Sequence, residues 1–253
     1  MAEYLFIEND NNQIVIDDQY HNPTFLFKQS VLTSESTPNT TMTVGGRYPA
    51  YTGKGNVIYF NQLDILDTPS LFPKRVFGFG RSKNNEPIEV QISVIKDSDG
   101  KEIGYQPTVY SFRQNDVVEV AVFYLGVRKP SDMGLVMFNE NGDVVFDGLK
   151  GFLQVVDQLN IQVDPAGWNQ SYKIHDNAKL VDFSKLFICS LYVRPFYVRG
   201  GTIVINYRAH YPRLIQNNND IYVEFVPYGD NPSGAAVQNY NDIANLIIAY
   251  VPY

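Results

Sequence analysis

The chain has 253 residues, 44% of them hydrophobic and 19% charged, enough apolar material for a sizeable core and too little charge for a disordered polymer. Its net charge of −7 and pI near 4.9 argue against nucleic acid and against anionic membrane surfaces, both of which need clustered Lys and Arg. Cys189 is the single cysteine, which excludes an intrachain disulfide framework and a cysteine-based zinc site, and it reads as a small buried apolar residue.

The N-terminal stretch MAEYLFIEND carries acids at positions 3, 8 and 10 and no basic region, so it is not expected to be a secretion signal. Residues 5–17, LFIENDNNQIVID, form an apolar run, a four-residue polar turn and a second apolar run ending at Asp17. This is the pattern of a β-hairpin. A further β-rich run, Thr24-Phe25-Leu26-Phe27, follows. Ser30 to Gly55 is polar and contains Gly45-Gly46, and reads as a long loop. Within it, Tyr48 and Tyr51 are the best candidates for stacking on a sugar face.

Strands are expected at 57–60, 76–79, 88–94, 108–112 and 117–125, where β-branched and aromatic residues cluster. Asp97-Ser98-Asp99-Gly100 resembles the opening of a calcium loop but lacks the closing Glu, and a hairpin turn explains it better. A boundary is expected near Arg128-Lys129-Pro130-Ser131, dividing the chain into domains 1–130 and 131–253. Residues 135–147, LVMFNENGDVVFD, then repeat residues 5–17 at an ungapped offset of 130, which points to duplication. The repeat pairs Asp17 with Asp147, a sign of symmetry and not of a catalytic dyad.

Further strands are expected at 186–193, 202–207, 221–226 and 247–251. The best helical windows are short: Phe183 to Ile188 and Gln238 to Ile248. The apolar segment from Asn245 to Tyr253, with Tyr250 and Tyr253, is expected to dock against the chain itself or a neighbouring subunit. The fold class is therefore all-β: an antiparallel sandwich or jelly-roll-like fold, read as two tandem related β domains.

Enzyme motifs are missing. His21, His175 and His210 are too far apart for a local metal motif, and no GxSxG elbow, Walker A or dinucleotide loop occurs. No catalytic residue, metal ligand or cofactor is expected. A glycan hydrolase built from two distant acids is the enzyme alternative, although nothing points to a pair.

Residues Met133 to Asp147 resemble a recurring phrase, roughly GLQVFNxxGxxxFDS, of small tail-associated proteins of tailed bacteriophages. Val118 to Tyr124 is similar to the strand leading into that phrase, and Tyr4 to Asp17 to the opening of the same proteins. Asp18 and Gly148 stand where the phrase has Ser. The resemblance covers about a quarter of the chain and brings no catalytic residues. It implies a structural protein of the virion tail (tip, collar or fibre-attachment adaptor), made in the host cytoplasm and partnered by other tail proteins and by copies of itself. The alternative is a tail module binding a host surface glycan through Tyr48 and Tyr51. Neither reading involves nucleic acid or membrane insertion.

Overall fold

The computed structural model describes residues 6–8, 14–17, 23–36, 50–65, 76–126, 128–138, 142, 144–162, 170–174, 181–190, 196–199, 206–228, 237–241 and 243–252. Before residue 130 the strands are β1 (Phe6–Glu8), β2 (Ile14–Asp17), β3 (Thr24–Thr33), β4 (Glu35–Ser36), β5 (Tyr51–Lys54), β6 (Ile58–Tyr59), β7 (Val76–Ser82), β8 (Ile88–Lys96), β9 (Glu102–Ser111) and β10 (Asp116–Tyr124). After it come β11 (Val136–Phe138), β12 (Val144–Asp147), β13 (Gln154–Gln162), β14 (Gln170–Lys173), β15 (Leu186–Ser190), β16 (Phe196–Arg199), β17 (Asn206–Asn217), β18 (Asp220–Tyr228), β19 (Val237–Asn241) and β20 (Ile243–Tyr250). The fold is all-β and antiparallel, with no α-helix among the described residues.

The central element is a six-stranded sheet in the order β13-β20-β15-β7-β10-β3. Three of its strands precede residue 130 and three follow it. Its two edges meet at one end. Thr24 and Phe152 form an antiparallel bridge, the Phe25 amide donates to the Gly151 carbonyl (3.2 Å), and the Leu153 amide donates to the Pro23 carbonyl (2.8 Å). The sheet thus closes at that end into a barrel. Phe79, Ala121, Phe123, Phe187, Cys189, Ala249 and Val251 pack together as its filling. Burial pushes the Cys189 thiol up to about 12.

Alternate residues of the same strands face outward, and two smaller sheets cover them. The sheet of β4, β5, β6, β8 and β9 packs on β3, β7 and β10 through Val31, Ile88, Val109, Val118, Val120 and Val122. On β13, β15 and β20 sits a second sheet, of order β14-β18-β17-β16-β19, through residues that include Leu186, Ile188, Val223, Phe225, Leu246 and Ile248. Rings of Phe112 and Tyr211, 5.7 Å apart, join the two outer sheets. Being covered on both faces, the inner strands β10 and β20 carry nearly continuous apolar runs instead of an alternating pattern.

The two halves of the sheet share one register. Tyr124 of β10 lies opposite the first residue of each neighbour, Thr24 and Val76. Tyr250 of β20 does the same with Gln154 and Leu186. Each edge strand has a bulge at its third residue, Leu26 in β3 and Val156 in β13. These positions continue the offset of 130 beyond the hairpins, aligning Thr24 with Gln154. Both seams between the halves, Gly80 with Ile188 and Thr24 with Phe152, are antiparallel, as a two-fold rotation requires.

Several expected elements differ. The window 183–188 is a 3₁₀ turn (Phe183–Lys185) leading into β15, and the described part of 238–248 forms β19 and β20. The span 30–55 is not one loop, since β3 runs to Thr33 and β4 and β5 occupy its ends; residues 37–49 lie outside the described set. The strand expected at 57–60 shrinks to β6 plus a 3₁₀ turn at Phe60–Gln62. The 97–100 turn forms as expected between β8 and β9, with Asp97 Oδ1 accepting from the amides of Asp99 (3.0 Å) and Lys101 (2.9 Å).

Candidate assembly surface

The hairpin carrying the repeated phrase is β11–β12. It pairs Val136 with Asp147, Met137 with Phe146 and Phe138 with Val144, with an irregularity between Met137 and Phe138. The first copy pairs Phe6 with Asp17, Ile7 with Ile16 and Glu8 with Ile14, with the irregularity at the equivalent step. Adding 130 to every residue of the first register gives the second. The sequence repeat is therefore a repeat of hydrogen-bonded structure, bulge included.

Asp147 closes the base of the second hairpin. Its carboxylate accepts from the amides of Ser131 (2.8 Å) and Leu149 (3.1 Å). Burial works to raise its pKa, but hydrogen bonds from the Ser131 amide and hydroxyl and the Leu149 amide, with the charge of Lys150, outweigh it and hold the carboxyl below its ordinary range. A carboxyl depressed in the folded state stabilises fully above its unfolded value, and that contribution fades as pH falls through the folded value. The wild type should therefore lose stability as pH drops below about 4. Asp147→Asn should cost about 1–3 kcal/mol at neutral pH and flatten the acid limb, as read from urea unfolding across pH.

Arg128 ties this base to the first half. It is buried, donates to the Phe25 carbonyl (2.7 Å) and forms a bridge with Ile65, while the Lys129 amide donates to Asp64 (2.8 Å). Lys150 completes the junction with a 2.8 Å ion pair to Asp64.

The hairpin unit leaves four large apolar side chains exposed. Met133 is 74% exposed, Leu135 61%, Leu149 61% and Phe138 50%. A Cβ on Gly134 would lie 3.1 Å from Leu149 Cγ, and the Gly148 amide donates to the Leu135 carbonyl (2.9 Å). Met137, Val145 and Phe146 of the unit pack with Phe152. In the first copy the four exposed positions correspond to Glu3, Leu5, Glu8 and Gln19. At three of the four positions an apolar residue is thus not needed to make the hairpin.

The residues expected to make contacts fall elsewhere. Tyr51 is half-buried in β5 opposite Ser36 and Ser111. Tyr250 is half-buried in β20, packed against the core between β13 and β15. Tyr48 and Tyr253 lie outside the described residues, as do His21 and His175. Leu246, Ile248, Ala249 and Val251 are buried in the chain's own core, so the described part of the 245–253 segment docks internally. Sequence reasoning missed Met133, Phe138 and Leu149 as contact candidates. The signal was available in the repeat, where each replaces a polar residue of the first copy.

No cluster of metal-ligating side chains occurs among the described residues. His210 is buried in β17. A cleft where the outer sheets adjoin, lined by residues including Arg81, Ser82, Glu86, Ile188 and Arg213, has room for about one water molecule and is too small for a sugar ring. Arg213 in that cleft is paired with Glu224. Among the described residues no helix is long and apolar enough to cross a membrane. No protein-family model, curated protein or solved structure matches the chain.

Proposed function

We propose that this chain is a non-enzymatic structural protein of a phage tail, at the tip, collar or fibre attachment, acting through protein–protein assembly. One observation carries the reading. The segment that resembles the tail-protein phrase, Met133 to Asp147, holds Met133, Leu135 and Phe138, three of the four exposed large apolar residues of the hairpin unit, and Leu149 lies just beyond it. Large apolar side chains kept outside the core by a well-paired hairpin are the material of an interface. The antiparallel barrel beneath supplies a rigid platform for it.

The test is a mass-spectrometric inventory of purified particles from the source, with immunogold labelling by antibody against the chain. The expected result is its presence in the inventory and label at a single tail or neck site. Unlabelled particles whose inventory lacks the chain would overturn the assignment.

A further inference from the structure

We infer that Met133 is a modification site: a peroxide oxidises its exposed thioether to the sulfoxide while Met137 of the same hairpin unit stays reduced. The chemistry stands whether or not the chain belongs to a tail, and only its consequence for contacts rests on the assembly reading above. Of the four methionines, Met1 and Met42 lie outside the described residues. Met133 is 74% exposed. Met137, in β11, is 8% exposed and packs with Val145, Phe146 and Phe152. A thioether is oxidised only where the oxidant can reach its sulfur, so the fold separates two side chains of identical chemistry.

In the step itself the Met133 sulfur attacks an oxygen of the peroxide. The O–O bond breaks, an S–O bond forms, and with hydrogen peroxide the leaving group departs as water. The sulfur gives up an electron pair and the peroxide is reduced. A thiol-dependent sulfoxide reductase reverses the change, the oxygen leaving as water while a pair of thiols becomes a disulfide. The internal repeat shows what each position accepts. The first copy has Glu3 at the place of Met133 and Ile7 at the place of Met137. A polar sulfoxide is therefore compatible with the hairpin at position 133, whereas position 137 is apolar in both copies. Cys189 does not compete, because it is buried and burial pushes its thiol up to about 12, leaving little of the reactive thiolate. On the assembly reading, oxidation turns one exposed apolar contact residue polar without unfolding the chain.

The experiment treats the full chain with hydrogen peroxide over a time course, quenches it, and follows each methionine by peptide mass spectrometry. Met133 should gain one oxygen at least about tenfold faster than Met137, whose reaction must wait for the hairpin to open. Chain oxidised at Met133 should keep the circular dichroism and melting temperature of the untreated protein, and sulfoxide reductase should restore the thioether. Met133→Leu should abolish the fast oxidation of this unit, and Met137→Leu should leave it in place. Equal rates at the two methionines, or loss of structure once Met133 alone is oxidised, would overturn the inference. Neither result touches the particle inventory, which decides the tail assignment separately.

Discussion

Truncating Phe123 to alanine should destabilise the protein by about 3–5 kcal/mol, among the largest losses from any single side chain. Phe123 is fully buried in β10 and points into the barrel. Its ring meets Phe79 edge-on at 5.4 Å and Phe25 at 5.8 Å, so one residue links three strands across the interior. Removing it deletes transfer energy, two aromatic contacts and the filling of a space whose walls are hydrogen-bonded strands that cannot collapse inward. Urea midpoints measured for Phe123→Ala and for the exposed control Val155→Ala would show the contrast. The control should change stability by no more than about 0.5 kcal/mol. Equal effects would mean that the barrel interior is not the main core.

Gly53→Ala should be as damaging for the opposite reason. Gly53 lies in β5 where the outer sheet crosses β3, and an added Cβ would fall within contact of the Leu32 carbonyl oxygen and 2.8 Å from its carbonyl carbon. The obstacle is backbone, so no rotamer change relieves it. The covering sheet must lift from β3 or the strand must bend, at a cost of about 3 kcal/mol or more. The usual gain of a few tenths to one kcal/mol from a less flexible unfolded chain is too small to offset this. Thermal unfolding checks it, and a melting temperature equal to wild type would show that the two sheets do not approach so closely.

Much of the local structure was legible. The 5–17 and 135–147 repeat fixed two hairpins by residue type alone, because Asn-rich polar turns between apolar runs permit few alternatives. The Asp97–Gly100 turn was legible for the same reason. The two short windows with the best helical spacing form strands and a 3₁₀ turn for a physical cause. In β20, Ala244, Leu246 and Ile248 pack outward while Ile247 and Ala249, with Val251 just after the strand, face the barrel filling. A strand buried on both faces has no polar alternation, and its apolar residues match helical spacing by default. Closure of the barrel was beyond the sequence because it depends on pairings between residues as distant as Gly80 and Ile188. The hairpin around 135–147 was legible as a motif, but the exposure of Met133, Phe138 and Leu149 was not. Residue type alone favours tyrosines as contact formers, whereas exposure depends on how each residue packs in the fold.

The closing of the barrel also governs how the chain reaches its native state. Thr24 meets Tyr124, Gln154 meets Tyr250, and Gly80 meets Ile188, so every seam of the barrel joins segments far apart in sequence. The outer hairpins β8–β9 and β17–β18 are local and can form early, yet each has its apolar face unpaired until the central strands arrive. Such a topology puts the loop-closure entropy ahead of most of the stabilising contacts and places folding in the slow, millisecond-to-second class. During that interval the phenylalanines destined for the interior stand open to solvent, and the yield of native protein should fall as the concentration of refolding chain rises.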